Sequence, residues 1–210
     1  MNFPSNAVVR AARPILLVAL LPFAACVSVT ANNHRTTNGS GSAATNSNAA
    51  SPITEAQVNA AQQAWCDGLV NVSQTHAKGG DAKAVAGKMI DDLYDYADGK
   101  VFFKPTLAFG PRTFRPTREG ALAYFVGGNP NFPEDTGFAL KGWTKARYDN
   151  NAAENGIQIH GDIAITMGNV YITGADGKEV MVDKTFVFRR CKDGNLRLCV
   201  HKSALPFNPN

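Results

Sequence analysis

The sequence predicts an α+β fold in which N-terminal helices are packed in the concave face of a curved antiparallel sheet. Three observations predict it. Two capped amphipathic helices come first, the hydrophobic period changes to two from Phe138 onward, and the strands that follow are joined by tight Gly- and Asp-containing turns. Helices first and strands after are the order expected of a sheet that wraps around them.

Each element has a local reason. Thr54 with Gln57 three residues later forms a capping box, and Val58, Ala61, Trp65, Leu69 and Val72 follow at helical spacing, giving a first helix to about His76. After Lys78-Gly79-Gly80, Asp81 caps a second helix in which Val85, Met89, Ile90 and Leu93 share a face. Val101-Phe102-Phe103 reads as a short strand stopped by Pro105, and Arg112-Thr113-Phe114 as another. Thr117 caps a short third helix carrying Leu122, Tyr124 and Phe125.

Phe138, Leu140, Ala146 and Tyr148 then alternate with Lys141, Trp143, Lys145 and Arg147. Ile157, Ile159, Ile163 and Ile165 alternate in turn with Gln158, His160 and Asp162, so they form an expected apolar face. Strands at about 170–173, 179–190 and 196–203 complete an antiparallel meander. A hairpin turn at Asp193-Gly194 would place Phe186 opposite His201 and Phe188 opposite Cys199.

The first fifty residues read differently. Arg10 and Arg13 precede an apolar run, Ile15 to Ala25, too short to span a bilayer and suited to a signal segment over 1–25. Phe23-Ala24-Ala25-Cys26 resembles a lipoprotein cleavage box, which would make Cys26 the lipidated first residue; ordinary cleavage after Val29-Thr30-Ala31 is the alternative. Residues 26–51, dominated toward their end by Asn, Ser, Thr, Ala and Gly, read as a flexible tether, leaving 52–210 as one domain. The expected location is the periplasm, with membrane contact only through the N-terminal lipid.

Removing Arg10 and Arg13 from the 21 basic residues leaves 19 against 17 acidic ones. So even a balance gives a nucleic-acid partner no support. Cys66, Cys191 and Cys199 remain beside Cys26. Cys191 and Cys199 would lie three positions apart across the hairpin, about 10 Å, beyond the roughly 7 Å Cα limit of a disulfide. Three free thiols are expected, with a bridge from Cys66 to one of the others left open.

Among the histidines, His34 lies in the tether, His76 at a helix end and His160 on the polar side of its strand, and all three read as solvated. His201 and Ser203 share the apolar face of the last strand, so His201 is either a satisfied core residue or part of a site. Cys199 and His201 with Cys66 would make a Cys2His set acceptable to zinc, yet no recognised ligand spacing is present. There is no G-x-S-x-G elbow and no phosphate-cradling glycine loop. Trp143, alternating with charged residues, is either an interface side chain of a homodimer or covered by a loop.

Four segments taken together resemble the iota-class carbonic anhydrases: Phe103-Lys104-Pro105-Thr106, the stretch from Thr113 to Phe125, Met167-Gly168-Asn169-Val170, and His201-Lys202-Ser203-Ala204-Leu205-Pro206. The resemblance covers roughly residues 53 to 209. It implies the cone-shaped α+β fold of nuclear transport factor 2 and of the association domain of calmodulin-dependent kinase. It also implies reversible hydration of CO2 to bicarbonate, with Thr106, Tyr124, His201 and Ser203 as the pocket residues. The family ending is usually His-His-Ser-Ser, and Lys202 and Ala204 replace its second and fourth places here. Both alternate away from the pocket, and the single remaining His points to a metal-free site with no cofactor, neither zinc nor manganese being indicated.

Hydroxyls must then do what zinc does. Zinc lowers the pKa of bound water from about 15.7 to about 7, roughly 12 kcal/mol of hydroxide stabilisation. Three aligned donors at about 3–4 kcal/mol each approach that sum. Two other functions fit the same fold: a non-catalytic small-ligand-binding lipoprotein, or an enzyme acting on another small molecule.

Overall fold

The computed structural model describes residues 51–154 and 156–209. The signal segment, most of the tether, Cys26 and His34 lie outside the described residues. Helix α1 (Glu55–Ala77) opens with the expected capping box: Gln57 N–H donates to Thr54 Oγ1 at 3.2 Å and Thr54 N–H to Gln57 Oε1 at 3.0 Å. Val58, Trp65, Cys66, Leu69 and Val72 are its buried stripe. Asp81 caps α2 (Ala82–Leu93), which packs against α1 where Gly68 meets Met89. A Cβ at position 68 would lie 2.7 Å from Met89 Cγ, so the missing side chain permits the close approach. Thr117 caps α3 (Arg118–Val126).

Six strands make one mixed sheet: β1 (Phe102–Lys104), β2 (Trp143–Asp149), β3 (Ile157–His160), β4 (Ile163–Gly174), β5 (Glu179–Arg190) and β6 (Leu196–Ala204). Their order is β1-β6-β5-β4-β2, with β3 pairing the other end of β4. The expected antiparallel meander is right for β4, β5 and β6. β1 differs, running parallel to β6 with Phe103 beside His201. Two helices precede it and a third follows, so it enters the sheet by a crossover rather than a hairpin. Pro105, which lacks an N–H, follows the end of β1.

Several local expectations are corrected. Arg112-Thr113-Phe114 is not a strand; Gly110–Arg112 forms a 3-10 turn and Phe114 is exposed. Phe138–Leu140 is also a 3-10 turn, so β2 begins only at Trp143. A bulge between Trp143 and Lys145 changes the parity of β2, and Trp143 packs against Phe138 and donates its Nε1–H to the Phe138 carbonyl at 2.7 Å. It is therefore half-buried rather than an outward interface side chain. The four isoleucines do not form one buried face either. Ala164, Thr166, Val170 and Ile172 point inward, while Ile165 points out.

The most consequential correction is in the final hairpin. Phe186 pairs with His201 as expected, but a bulge puts Leu198, not Cys199, opposite Phe188. Leu198, His201 and Ser203 are buried, and Cys199 is half-buried with its thiol on the Val187 carbonyl at 3.4 Å. Cys66, Cys191 and Cys199 are all free, as expected. His76 and His160 are exposed. Among the described residues no helix is long and apolar enough to cross a membrane.

Candidate active site

The site lies where β1, β6 and β5 meet the inner faces of α1 and α3. The parallel pairing of β1 with β6 stacks the Phe103 ring on His201 with centroids 4.5 Å apart, and brings Thr106 to Ser203. Thr106 Oγ1 and Ser203 Oγ are 2.6 Å apart. Lys104 fastens the same junction, donating from Nζ to the Ser203 carbonyl at 3.0 Å and the Thr106 carbonyl at 3.3 Å. Burial, with the Lys202 charge second, lowers its ammonium pKa.

Tyr124 comes from α3. Its ring stacks on Phe138 at 5.4 Å and meets Phe103 edge-on, while its oxygen accepts the Leu107 N–H at 3.4 Å. Burial pushes its phenol above the usual tyrosine range, so the hydroxyl keeps its proton at neutral pH. The expected residues Thr106, Tyr124 and Ser203 are thus brought together.

His201 is adjacent but does not bond to those hydroxyls. Its Nδ1 lies 2.9 Å from the Tyr94 hydroxyl and its Nε2 3.0 Å from Lys184 Nζ. Trp65 Nε1–H donates to the same Tyr94 oxygen at 2.8 Å. Burial first, and the Lys184 charge second, hold the imidazole well below its ordinary pKa. Lys184 reaches onward to Ser203 Oγ at 3.2 Å. A continuous buried chain therefore runs from Trp65 through Tyr94, His201, Lys184 and Ser203 to Thr106.

Sequence reasoning missed Lys184 and Tyr94. Lys184 had left a signal, since it shares the inward face of β5 with the buried Val182, Phe186 and Phe188, where an apolar residue is expected. Tyr94 sits just beyond α2 and left none. Burial pulls the Lys184 ammonium down to about 7, with Cys66 and Asp183 opposing and Lys104 adding to the effect. The Cys66 thiol beneath it is pushed up to about 12 by burial.

A small cavity of about 30 Å³ opens at Tyr124, bounded also by Leu107, Phe109, Asp135, Thr136 and Phe138. A water needs about 10–15 Å³ by this measure, so there is room for a molecule of a few heavy atoms. The loop above it is anchored by the buried Arg115, which donates to both Asp135 oxygens at 3.0 and 3.1 Å, and by Arg112 on Glu134 at 2.8 and 2.9 Å. A larger groove of about 600 Å³ between α1 and β2 is lined by Asp67, Arg147 and Tyr171, and none of the hydroxyl residues reaches it.

The donor set does not suit a metal at His201. Both ring nitrogens are engaged, a lysine faces one of them, and the bulge removes Cys199 from the Cys66–His201 set. Among the described residues, three ligand-type atoms converge at Asp95, Asp98 and Cys191, where Arg189 already pairs with both carboxylates.

A family model described as metal-independent carbonic anhydrase matches residues 56–205. The chain belongs to that family. A metal-independent carbonic anhydrase from Nostoc sp. (strain PCC 7120) is 55% identical over 157 residues, 74% of this chain and 75% of the relative. The crystal structure of a cyanobacterial iota-carbonic anhydrase complexed with bicarbonate superposes with a TM-score of 0.71 at 53% identity, covering 75% of this chain and 94% of its own. A nuclear transport factor 2 (NTF2-like) superfamily protein from Salmonella enterica shows a TM-score of 0.45 at 11% identity, over 74% of this chain and 92% of its own. In this metal-independent carbonic anhydrase the polar chain from Trp65 to Thr106 contains His201, Ser203 and Thr106, and Tyr124 lines the neighbouring cavity.

Proposed function

We infer that the chain catalyses the reversible hydration of CO2 to bicarbonate without a metal, at the Tyr124 cavity. The observation that carries this reading is the buried Thr106–Ser203 contact of 2.6 Å beside the Tyr124 hydroxyl, in a chain of this family. Because the Tyr124 oxygen already accepts the Leu107 N–H, its own proton is free to donate into the cavity. Water attacks the carbon of CO2, a C–O bond forms, one C=O electron pair moves to oxygen, and a proton leaves the attacking water. Tyr124 donates to the oxygen that gains charge, as an oxyanion-hole donor does. The Lys104 ammonium, held on the Thr106 and Ser203 carbonyls, adds a positive field at the same place.

Stopped-flow CO2 hydration by the chelator-treated protein tests the reading. A rate well above buffer, unchanged by added zinc or manganese, is expected; a rate no higher than buffer overturns it.

We also propose export by the 1–25 segment, lipid anchoring at Cys26 in the periplasm, and a homodimer. The dimer is supported by the outer sheet face. There Phe102, Val200, Val187 and Ile165 form one cross-strand row, with Phe102 72% exposed and Met167, two residues beyond Ile165 on β4, 57% exposed. Loss of labelled palmitate in Cys26→Ala and a halved mass in Val187→Glu by light scattering are the expected results; unchanged labelling or mass would remove either claim.

A further inference from the structure

Lys184 is the one buried amine in the described chain of polar contacts, and the hydration step above leaves its proton without a destination. Nζ sits between His201 Nε2 at 3.0 Å and Ser203 Oγ at 3.2 Å, with the Trp65 ring 4.3 Å away. Its neighbours in sequence offer no carboxylate to it: Asp183 is on the opposite face of β5 and bonds Lys202.

We propose that Lys184 rests as a neutral amine and takes up the proton released in CO2 hydration, delivered through Thr106 and Ser203, with His201 and Tyr94 holding it in place. The proposal rests on the carbonic anhydrase reading and deepens it.

The hydrogen bonds favour this because only one side of Lys184 has to change. With its proton on Nδ1, directed at the Tyr94 oxygen, His201 presents Nε2 as an acceptor. Lys184 N–H donates to that nitrogen whether it is an amine or an ammonium. Toward Ser203 the two forms differ: the amine accepts the Ser203 O–H, and the ammonium donates to Ser203 Oγ. Uptake therefore reverses two hydroxyls. The water proton passes to Thr106 Oγ1, the Thr106 proton to Ser203 Oγ, and the Ser203 proton to the Nζ lone pair, which becomes the new N–H bond. Each hydroxyl gains one proton and loses one, and bicarbonate and a lysine ammonium result. His201 is in this scheme a positioning residue.

The groups facing Lys184 set its balance. Cys66 and Trp65 face it from α1, Lys104 from β1, and His201 and Ser203 from β6, while the Tyr148 hydroxyl of β2 donates to its carbonyl at 3.1 Å. Burial and the Lys104 charge favour the amine; the Trp65 ring face and Asp183 ease formation of the ammonium. A balance point near neutrality follows, which is where a proton acceptor is most effective.

The test is the pH profile of CO2 hydration. The wild type is expected to show an ascending limb with its midpoint near 7. Lys184→Met and Lys184→Arg are expected to fall at least about 100-fold and to lose that limb. A Lys184→Met protein that keeps both rate and limb overturns the proposal and leaves the carbonic anhydrase reading standing; a wild type with no hydration removes both. Should the variants not fold, wild-type protein labelled at the lysine Cε carbons decides by NMR. One lysine titrating near 7 supports the proposal, and all lysines titrating above about 9 overturns it.

Discussion

Tyr124 and Ser203 occupy different places in the site, and their removal is expected to fail differently. Tyr124→Phe deletes a donor at the cavity and keeps the ring on Phe138, so a loss of about 100- to 1000-fold in kcat with unchanged unfolding is expected. Ser203→Ala breaks the junction between Lys184 and Thr106, and it should cost a similar factor while flattening the pH profile. Stopped-flow hydration and thermal melts of both variants check this; rates within a few-fold of wild type would remove the hydroxyls from the chemistry. Thr106, Tyr124, His201 and Ser203 were named by the resemblance of their segments to the family, and the fold places Thr106 and Ser203 in contact. Lys184 was equally visible as a charge within an apolar alternation, but a lysine on a strand is read by habit as solvated. What could not be read was that Lys184 separates His201 from the hydroxyls: the expected register sets Lys184 opposite Ser203, but the place of Nζ between His201 Nε2 and Ser203 Oγ is decided by side-chain packing under the Trp65 ring.

The elements divide the same way. The starts of the three helices were legible because Thr54, Asp81 and Thr117 cap them locally, and the end of the first was read at His76, one residue short of Ala77. The strands were legible as strands, but one inserted residue near Cys199 and another near Trp143 reversed the face assigned to those side chains. Nothing in the alternation announces a bulge. Gly168 shows how closely the elements meet at the site. It pairs with Lys184 across β4 and β5, and a Cβ there would lie 2.3 Å from the Asp149 carbonyl and 2.8 Å from the Tyr148 ring. Since Tyr148 donates to the Lys184 carbonyl, Gly168→Ala should push β2 outward and loosen the strand that carries Lys184. A loss of about 1–3 kcal/mol in urea unfolding is expected, with reduced hydration activity. Wild-type stability in this variant would mean β2 yields without cost.

For the whole molecule, a buried lysine ties stability to the pH range in which the enzyme works. The unfolded chain holds the Lys184 proton up to about 10.5, whereas the folded chain releases it at about 7. A depressed lysine pKa therefore opposes folding: between those values the unfolded state binds more protons, so stability rises with pH. At roughly 1.4 kcal/mol per unit the full penalty below 7 is about 5 kcal/mol, and going from about pH 7 to about pH 8.5 recovers about 1.5 kcal/mol of it. His201, held well below its usual value, acts in the same direction only below about 6.5. Cys66, raised from 9.0 to about 12, acts in the opposite direction and mainly above about 9. The interval between 7 and 8.5 thus reports chiefly Lys184. Urea unfolding at fixed protein concentration, which holds any dimer contribution constant, should show the wild type gaining stability across that interval. Lys184→Met should be more stable than wild type at pH 7 and lack the gain, since it removes the amine and leaves a flexible apolar side chain against Trp65. Parallel curves for the two proteins would mean that Lys184 is charged in the folded state throughout.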